Sequence, residues 1–463
     1  MPVNSFENYP MSWKPDKAKM ERPYYLAIAN LLEQDITNGN LSANTKLPPQ
    51  RDLADFLDLN LSTITRAYKI CELKGFLYAV TGRGTFVSPR TSSKETFVEK
   101  SNQFIEMGMI KPFYETNNLI IDVTKSIMEN PEAVRLFGYS SPLGTDRQLR
   151  AAIQWLRKYK VNVSENNTMI VAGAQNALSV ILISLFKAGD KIAVDEFTYT
   201  NFKGLANLLH IQLITVEADR YGMKPESLVA LCKNSDVRGI YLMPTCSNPT
   251  SIFMPQTRRE ELANIIRQYD LLLIEDDIYS FLAPENAVPF FAMLPDHTLH
   301  ICSLSKSLCA GLRVAFMAFP EQYREMLISG MLNINLKTVS LNAEIISELI
   351  ESGVAETIVK EKISLAQKRN HIYKNYFPIY DENITRFFHW VKLPDNLTSE
   401  EAEILALQKG IHILGSHRFA MGSHNKSAYV RLSIASPDSE ADLSYALETL
   451  KEIFEQQKVT ILV

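Results

Sequence analysis

The chain has 463 residues, of which 46% are apolar and 22% charged, and carries a formal net charge of −4. That length supports two or three domains, each able to bury a core, and the composition excludes a polyacidic or polybasic tail protein. No apolar run approaches the roughly 20 residues a bilayer span needs, and residues 1–25 lack the apolar core of a signal peptide. The expectation is therefore a soluble, cytoplasmic protein with no membrane partner. Five scattered cysteines, Cys71, Cys232, Cys246, Cys302 and Cys309, show no metal-ligand spacing, and no metal site is expected.

Residues 23–36 (PYYLAIANLLEQDI) place apolar side chains at helical spacing and end in the turn Asn38-Gly39-Asn40. A second helix is predicted over residues 50–57, after Leu47-Pro48-Pro49, and a third from Ser62 to Gly75. Two short helices joined by a tight turn form a helix-turn-helix, whose second helix can enter a major groove. Residues 76–80, the turn Gly82-Arg83-Gly84 and residues 85–87 read as a hairpin. Three helices and a hairpin make a winged helix, an α+β module. Residues 1–90 carry net +2 against −6 for the remainder, a cationic bias toward the front. The competing reading is a helical protein-contact module with Arg51 and Arg66 simply solvated.

The stretch LPPQRDLADFLDLNLSTITRAYKICELKGFLYAVTGRGTFV resembles the DNA-binding domain of GntR-type bacterial regulators, over about residues 20–88. The resemblance implies double-stranded DNA as partner, contacted by Arg51, Ser62, Thr63, Arg66 and the wing residues Arg83 and Gly84. Leu61 stands where many relatives have arginine, which implies an altered base readout.

Residues 88–94 (SPRTSSK) are polar turn formers, as in an exposed connector. Residues 96–109 are more apolar and are expected to be helical. The resulting plan is a winged helix at 15–88, a linker at 89–115 and a large domain at 116–463.

From Thr168 onward, strand-like runs (169–172, 191–194, 238–243, 271–275) alternate with helical segments (175–187, 256–269). This alternation predicts a mainly parallel sheet covered by helices, with ligands at the carboxyl ends of its strands. Gly173-Ala174-Gln175, Asn248, Asp276 and Lys306 all follow apolar runs. Free amides where a helix opens at Ala174 favour a phosphate. Asp276, three residues before Tyr279 in IEDDIYS, suits a protonated ring nitrogen, though it equally suits a helix cap. Lys306, in CSLSKSLCAGLRVAF, offers an amine able to form an imine with an aldehyde, and Ser303, Ser305 and Arg313 around it suit a phosphate. A lone lysine is ordinarily surface charge.

The order of these pieces resembles the fold-type I aminotransferases, over about residues 118–440. The resemblance implies pyridoxal 5′-phosphate as cofactor, with Lys306 as the Schiff-base residue and Asp276 at the pyridine nitrogen. It also implies Tyr279 and Asn248 (PTCSNPTS) at the ring oxygen and Tyr199 (VDEFTYTNF) against the ring face. Ala174, Gln175, Ser303, Ser305 and Arg313 fall to the phosphate, with Tyr139 (GYSSPLG) reaching it from the neighbouring subunit. Arg431, in YVRLSIA, matches the arginine that grips an α-carboxylate. Three positions depart from the pattern: Phe197 and Ala310 replace frequent prolines, and Ser251 replaces the usual glycine. His389, His412, His417 and His424 lack an acidic partner at recognisable spacing and read as solvated or core residues, with His417 and Arg418 as candidates to line an effector pocket.

A GntR-type winged helix joined to an α/β transferase fold, mainly parallel sheet with a smaller C-terminal α/β subdomain, resembles the MocR subfamily of regulators. That implies a homodimeric, DNA-binding transcriptional regulator that senses an amino acid, an amine or pyridoxal phosphate without turnover. A working aminotransferase with an accessory DNA-binding domain remains the alternative, because Lys306, Asp276 and Arg431 serve both.

Overall fold

The computed structural model describes residues 11–17, 20–37, 40–42, 45–73, 76–80, 84–87, 104–379, 381, 385–421 and 427–459. Arg83, the connector at 88–94 and His424 lie outside them. The chain divides into two units, one formed by residues 1–95 with 204–210 and the other by residues 96–203 and 211–463.

In the front unit α1 (Tyr24–Thr37), α2 (Gln50–Leu57) and α3 (Leu61–Leu73) precede β1 (Leu77–Val80) and β2 (Gly84–Val87), which pair antiparallel with Leu77 opposite Val87. Pro49 leads into α2, and Asp58, left-handed at φ 50°, stops it by returning its N–H to Ala54 and Asp55 carbonyls. The turn that follows is only Leu59-Asn60, so α3 starts at once. Ile28, Leu32, Leu53, Leu57, Ile64, Ala67, Leu77 and Val87 form the buried core, and the buried Tyr68 hydroxyl donates to the Pro48 carbonyl at 3.0 Å. Three helices and a wing are thus present as predicted.

The chain then runs through β3 (Ile105–Glu106), α4 (Asn117–Glu129), α5 (Asp146–Lys158), β4 (Thr168–Val171), α6 (Ala174–Leu185), β5 (Lys191–Asp195), α7 (Thr200–Leu208) and β6 (Gln212–Val216). A hairpin of β7 (Ala218–Asp219) and β8 (Gly222–Met223) leads to α8 (Pro225–Asn234), β9 (Val237–Leu242), α9 (Gln256–Gln268), β10 (Leu272–Asp276), α10 (Phe290–Met293), β11 (Thr298–Ser303), α11 (Leu304–Ser307) and β12 (Ala315–Ala318). Seven strands form one sheet in the order β4-β12-β11-β10-β9-β5-β6, parallel except for β12, which is antiparallel to both neighbours. Every residue of β4, β10, β11 and β12 is buried, as expected of a sheet covered on both faces. β10 and β11 are adjacent and parallel, so Asp276 and Ser303 finish at the same edge of the sheet.

Next come α12 (Arg324–Ile334), α13 (Ser340–Glu351) and α14 (Val354–Lys374), then β13 (Phe388–Lys392), α15 (Ser399–Gln408), β14 (Ile411–His412), β15 (Leu414–Gly415), β16 (Tyr429–Ser433) and α16 (Glu440–Val459). A small antiparallel sheet, β13-β16-β15, carries Arg431 in its middle strand. A capping box at α15, in which Thr398 and Glu401 bond each other's backbone, fixes where that helix starts.

Two expectations need correction. The described part of residues 96–109 is not helical: Ile105 and Glu106 pair in parallel with Ile411 and His412. Pairing and burial override local pattern here, since Met107 lies in the C-terminal core and Ile110 and Phe113 in the main one. Residues 105–113 therefore belong to the large unit and not to a linker. No helix among the described residues is long and apolar enough to cross a membrane.

Candidate functional site

β11 ends at Ser303, whose Oγ accepts from the Ser305 N–H at 3.4 Å and so opens α11. That helix is four residues long and presents Lys306 at the sheet's carboxyl edge. The Lys306 Nζ donates to the Ile110 carbonyl. Burial, reinforced by the charges of Arg431, Lys362 and Arg313, lowers its pKa to about 7. An amine so placed is substantially neutral, and therefore nucleophilic, near neutral pH.

Asp276 is the last residue of β10. One carboxylate oxygen accepts from the Tyr241 hydroxyl at 2.9 Å; the other, Oδ1, is buried with no partner among the described residues. Burial raises its pKa to about 6, the Tyr241 hydrogen bond working against that shift. Tyr199 accepts from Asn201 Nδ2 at 3.1 Å and is pushed up to about 12 by burial and by Asp276. Burial likewise holds Tyr279 well above the ordinary phenol value, where the charges of Arg431 and Asp276 also reach it.

Arg431 is 6% exposed. Its Nη1 donates to Asn248 Oδ1 and its Nη2 to the Gly108 carbonyl, both at 2.6 Å. Nε has no partner among the described residues, and the guanidinium lies 4.8 Å from the Phe419 ring centre. Burial lowers its pKa to about 10, which leaves it cationic.

Gly173, at φ +85°, precedes α6, where Ala174 and Gln175 begin the helix. The Arg313 guanidinium lies over that glycine, so a Cβ there would sit 2.7 Å from Nη2; only glycine accepts both the angle and the closeness. Arg313 Nη1 reaches Ser305 Oγ at 3.3 Å, and the buried Gln175 Oε1 has no partner among the described residues.

The fold thus gathers the buried Asp276, Tyr279, Asn248 and Arg431 with the half-buried Lys306 and Tyr199 into one cluster, and sets Ser303, Ser305 and Arg313 beside the start of α6. Tyr139 is 94% exposed, and its own chain does not bring it there. In the front unit Arg51, Ser62 and Gly84 are exposed and Thr63 half-buried, while the Arg66 guanidinium stacks 3.8 Å from the Tyr25 ring centre. The histidine expectation fails twice. His412 pairs with Glu106 at 2.8 Å, and His417 has Glu400 and Glu403 within 3.8 Å; Glu106 is 306 residues from His412, beyond any local spacing. His389 stacks on Tyr373 with centroids 3.8 Å apart, as a core residue. Arg418 is engaged by Glu403 through two contacts of 2.7 Å.

Phe197 packs edge-on against Trp390 and Tyr429, centroids 5.2 and 5.8 Å away, giving a structural reason for an aromatic in place of proline. Ser251 sits at φ +55°, which explains why glycine suits the position. Sequence reasoning missed Tyr241, Lys362, the Gly108 and Ile110 carbonyls, and the buried pair His300–Glu275 at 2.8 Å. Glu275 also accepts from the Phe290 and Phe291 N–H groups, so the pair anchors α10 beneath the site.

The model of the aminotransferase class I and II family matches residues 104–450, and that of the bacterial regulatory proteins, gntR family, residues 24–87. The HTH-type transcriptional regulator YdeF of Bacillus subtilis is 38% identical over 460 residues, covering 98% of this chain and 99% of that protein. This chain belongs to the MocR-type transcriptional regulators. Another relative of this MocR-type regulator, NorG of Staphylococcus aureus, is 23% identical over 439 residues, covering 87% of this chain and 98% of NorG. Among solved structures, the multiple substrate aminotransferase of Thermococcus profundus superposes with a TM-score of 0.72 at 23% identity, over 80% of this chain and 96% of that one, which shows the fold. The family implies pyridoxal phosphate, and the residues fit it. A buried acceptor without a partner costs about 1–3 kcal/mol, and Asp276 Oδ1 is such an acceptor, suited to a protonated ring nitrogen.

Proposed function

We propose that this regulator reads a carboxylate-bearing amino acid or amine at a pyridoxal phosphate carried by Lys306, and works as a cytoplasmic homodimer on repeated DNA half-sites. The observation that carries the reading is Arg431: a buried guanidinium with only neutral oxygens at its two terminal nitrogens, close enough to Lys306 to act on its charge. A buried arginine with neutral acceptors and an Nε that has no partner among the described residues suits an anion able to take two donors together.

Bound pyridoxal phosphate supplies an aldehyde that condenses with primary amines and a ring that withdraws electrons. The protein's own groups do the rest. Asp276, through its unpartnered Oδ1, would hold a proton on the ring nitrogen. Asn248, whose oxygen serves Arg431, and the Tyr279 hydroxyl would serve the ring oxygen. Tyr199 covers the ring face. Ala174, Gln175, Ser303, Ser305 and Arg313 take the phosphate, and Tyr139 serves the partner subunit's site. Arg431 would exchange the Gly108 carbonyl for the ligand carboxylate, and Lys306 would give up the Ile110 carbonyl on engaging the cofactor.

Gly108 and Ile110 lie in the stretch that follows the connector from the DNA-binding unit, so both exchanges act on the chain leading to it. Coupling of this kind is typically about 1–3 kcal/mol. In the DNA-binding unit α3 would enter the major groove with Ser62, Thr63 and Arg66, while Arg51, Arg83 and Gly84 contact the backbone and wing site.

The deciding experiment measures binding to the protein's own upstream DNA for cofactor-free protein, for cofactor-loaded protein, and for loaded protein with a panel of amino acids and amines, while monitoring keto-acid release. Ligand-dependent DNA affinity without keto acid supports the sensor. Affinity indifferent to every ligand, or sustained turnover at roughly 1 per second or faster, overturns it in favour of an aminotransferase.

A further inference from the structure

Helix α14 buries the stripe Ala355, Ile358, Val359, Lys362, Ala366 and Arg369. Lys362 stands mid-stripe with no exposed surface, whereas Lys360 and Lys368 on the same helix face solvent. Burying an ammonium is costly unless its donors are engaged, and these are: Nζ donates to the Leu308 carbonyl at 2.6 Å and approaches the Lys306 carbonyl at 3.4 Å. Both carbonyls lie at the end of α11, the four-residue helix that carries Lys306. A chain turning out of so short a helix leaves carbonyls without helical partners, and a cation satisfies them.

We infer that Lys362 is a positioning residue for the reacting amine: it fixes the carbonyl end of α11 and sets a positive charge beside Lys306. The inference rests on Lys306 being that amine. A neighbouring cation disfavours a second one, so Lys362 helps keep the Lys306 amine neutral and able to attack. Burial lowers the pKa of Lys362 itself to about 8, which leaves it mostly charged at neutral pH. The charged groups acting on Lys306 are Arg431 from β16, Lys362 from α14 and Arg313 from the loop after α11. Those acting on Lys362 are Cys309 and Glu115.

The test uses full-length, cofactor-free protein, reacted with formaldehyde and cyanoborohydride across roughly pH 5 to 11, with Lys306 methylation followed by peptide mass spectrometry. Lys362→Gln keeps a donor but removes the charge, and is expected to move the Lys306 half-reaction point up by about one pH unit. Lys362→Arg keeps the charge and should leave it near the parent value. A folded glutamine variant whose Lys306 profile matches the parent overturns the proposal. So does an arginine variant whose profile rises toward that of an ordinary lysine. If the glutamine variant does not fold, the arginine variant decides alone. Borohydride trapping of pyridoxal phosphate on the parent protein is the separate control: its absence at Lys306, with the methylation profiles as expected, removes the cofactor role and leaves the positioning role standing.

Discussion

Arg431 donates to the Gly108 carbonyl at 2.6 Å, across 323 residues of chain. A carboxylate that takes the Nη2 donor now given to Gly108 displaces a main-chain oxygen of the segment beginning at β3. Hydrogen exchange of residues 104–110 should therefore quicken when effector binds to loaded protein. Arg431→Lys, which loses the two-pronged fork, should raise the effector concentration needed for a response by about 10- to 100-fold. Unchanged protection of that segment would rule out the displacement.

Asp276 is held at a cost in stability. Its folded pKa, about 6, lies above the usual carboxylate value, so its stability contribution is complete below about pH 4 and is lost as pH rises through 6. Asp276→Asn in cofactor-free protein should match the parent below about pH 4 and exceed it above pH 6, by up to about 3 kcal/mol. The same variant should bind pyridoxal phosphate less tightly. Thermal denaturation across pH, with and without cofactor, checks both halves.

Ser251 predicts a gain. Its φ of +55° strains a residue with a Cβ, and its hydrogen bonds among the described residues use the backbone: its N–H reaches the Ser247 carbonyl and its own carbonyl accepts from Arg386. Ser251→Gly should keep both and relieve roughly 1 kcal/mol of strain, offset in part by the greater freedom of glycine in the unfolded chain. A fall in melting temperature would contradict this.

How much of this was legible in the sequence depended on distance along the chain. The wing, α2 and the strands around Asp276 and Lys306 were readable because periodicity and turn residues are local signals. Lys362 was not, since VAETIVKEKISLAQKRN reads as a charged surface helix until its buried stripe is seen. Tyr241 lay hidden in an apolar strand, and the stretch at Ile105 read as helix because its partner, Ile411, is remote.

Arg51 and Arg66 should behave differently on DNA. Arg51 is exposed near the start of α2, and its replacement by alanine should weaken binding across sequences and flatten the salt dependence by about one phosphate contact. Arg66 rests on Tyr25, so Arg66→Ala should also cost the front unit about 0.5–1 kcal/mol of stability. Paired salt titrations and melting curves separate the two.

Among the described residues, the buried members of the front unit's apolar core all fall between Trp13 and Val87. Lys306, Asp276 and Arg431 lie outside that cluster. A recombination event that exchanged those first ninety codons would retarget the regulator to another promoter while its chemical sense passed on intact, so the two specificities can descend from different ancestors.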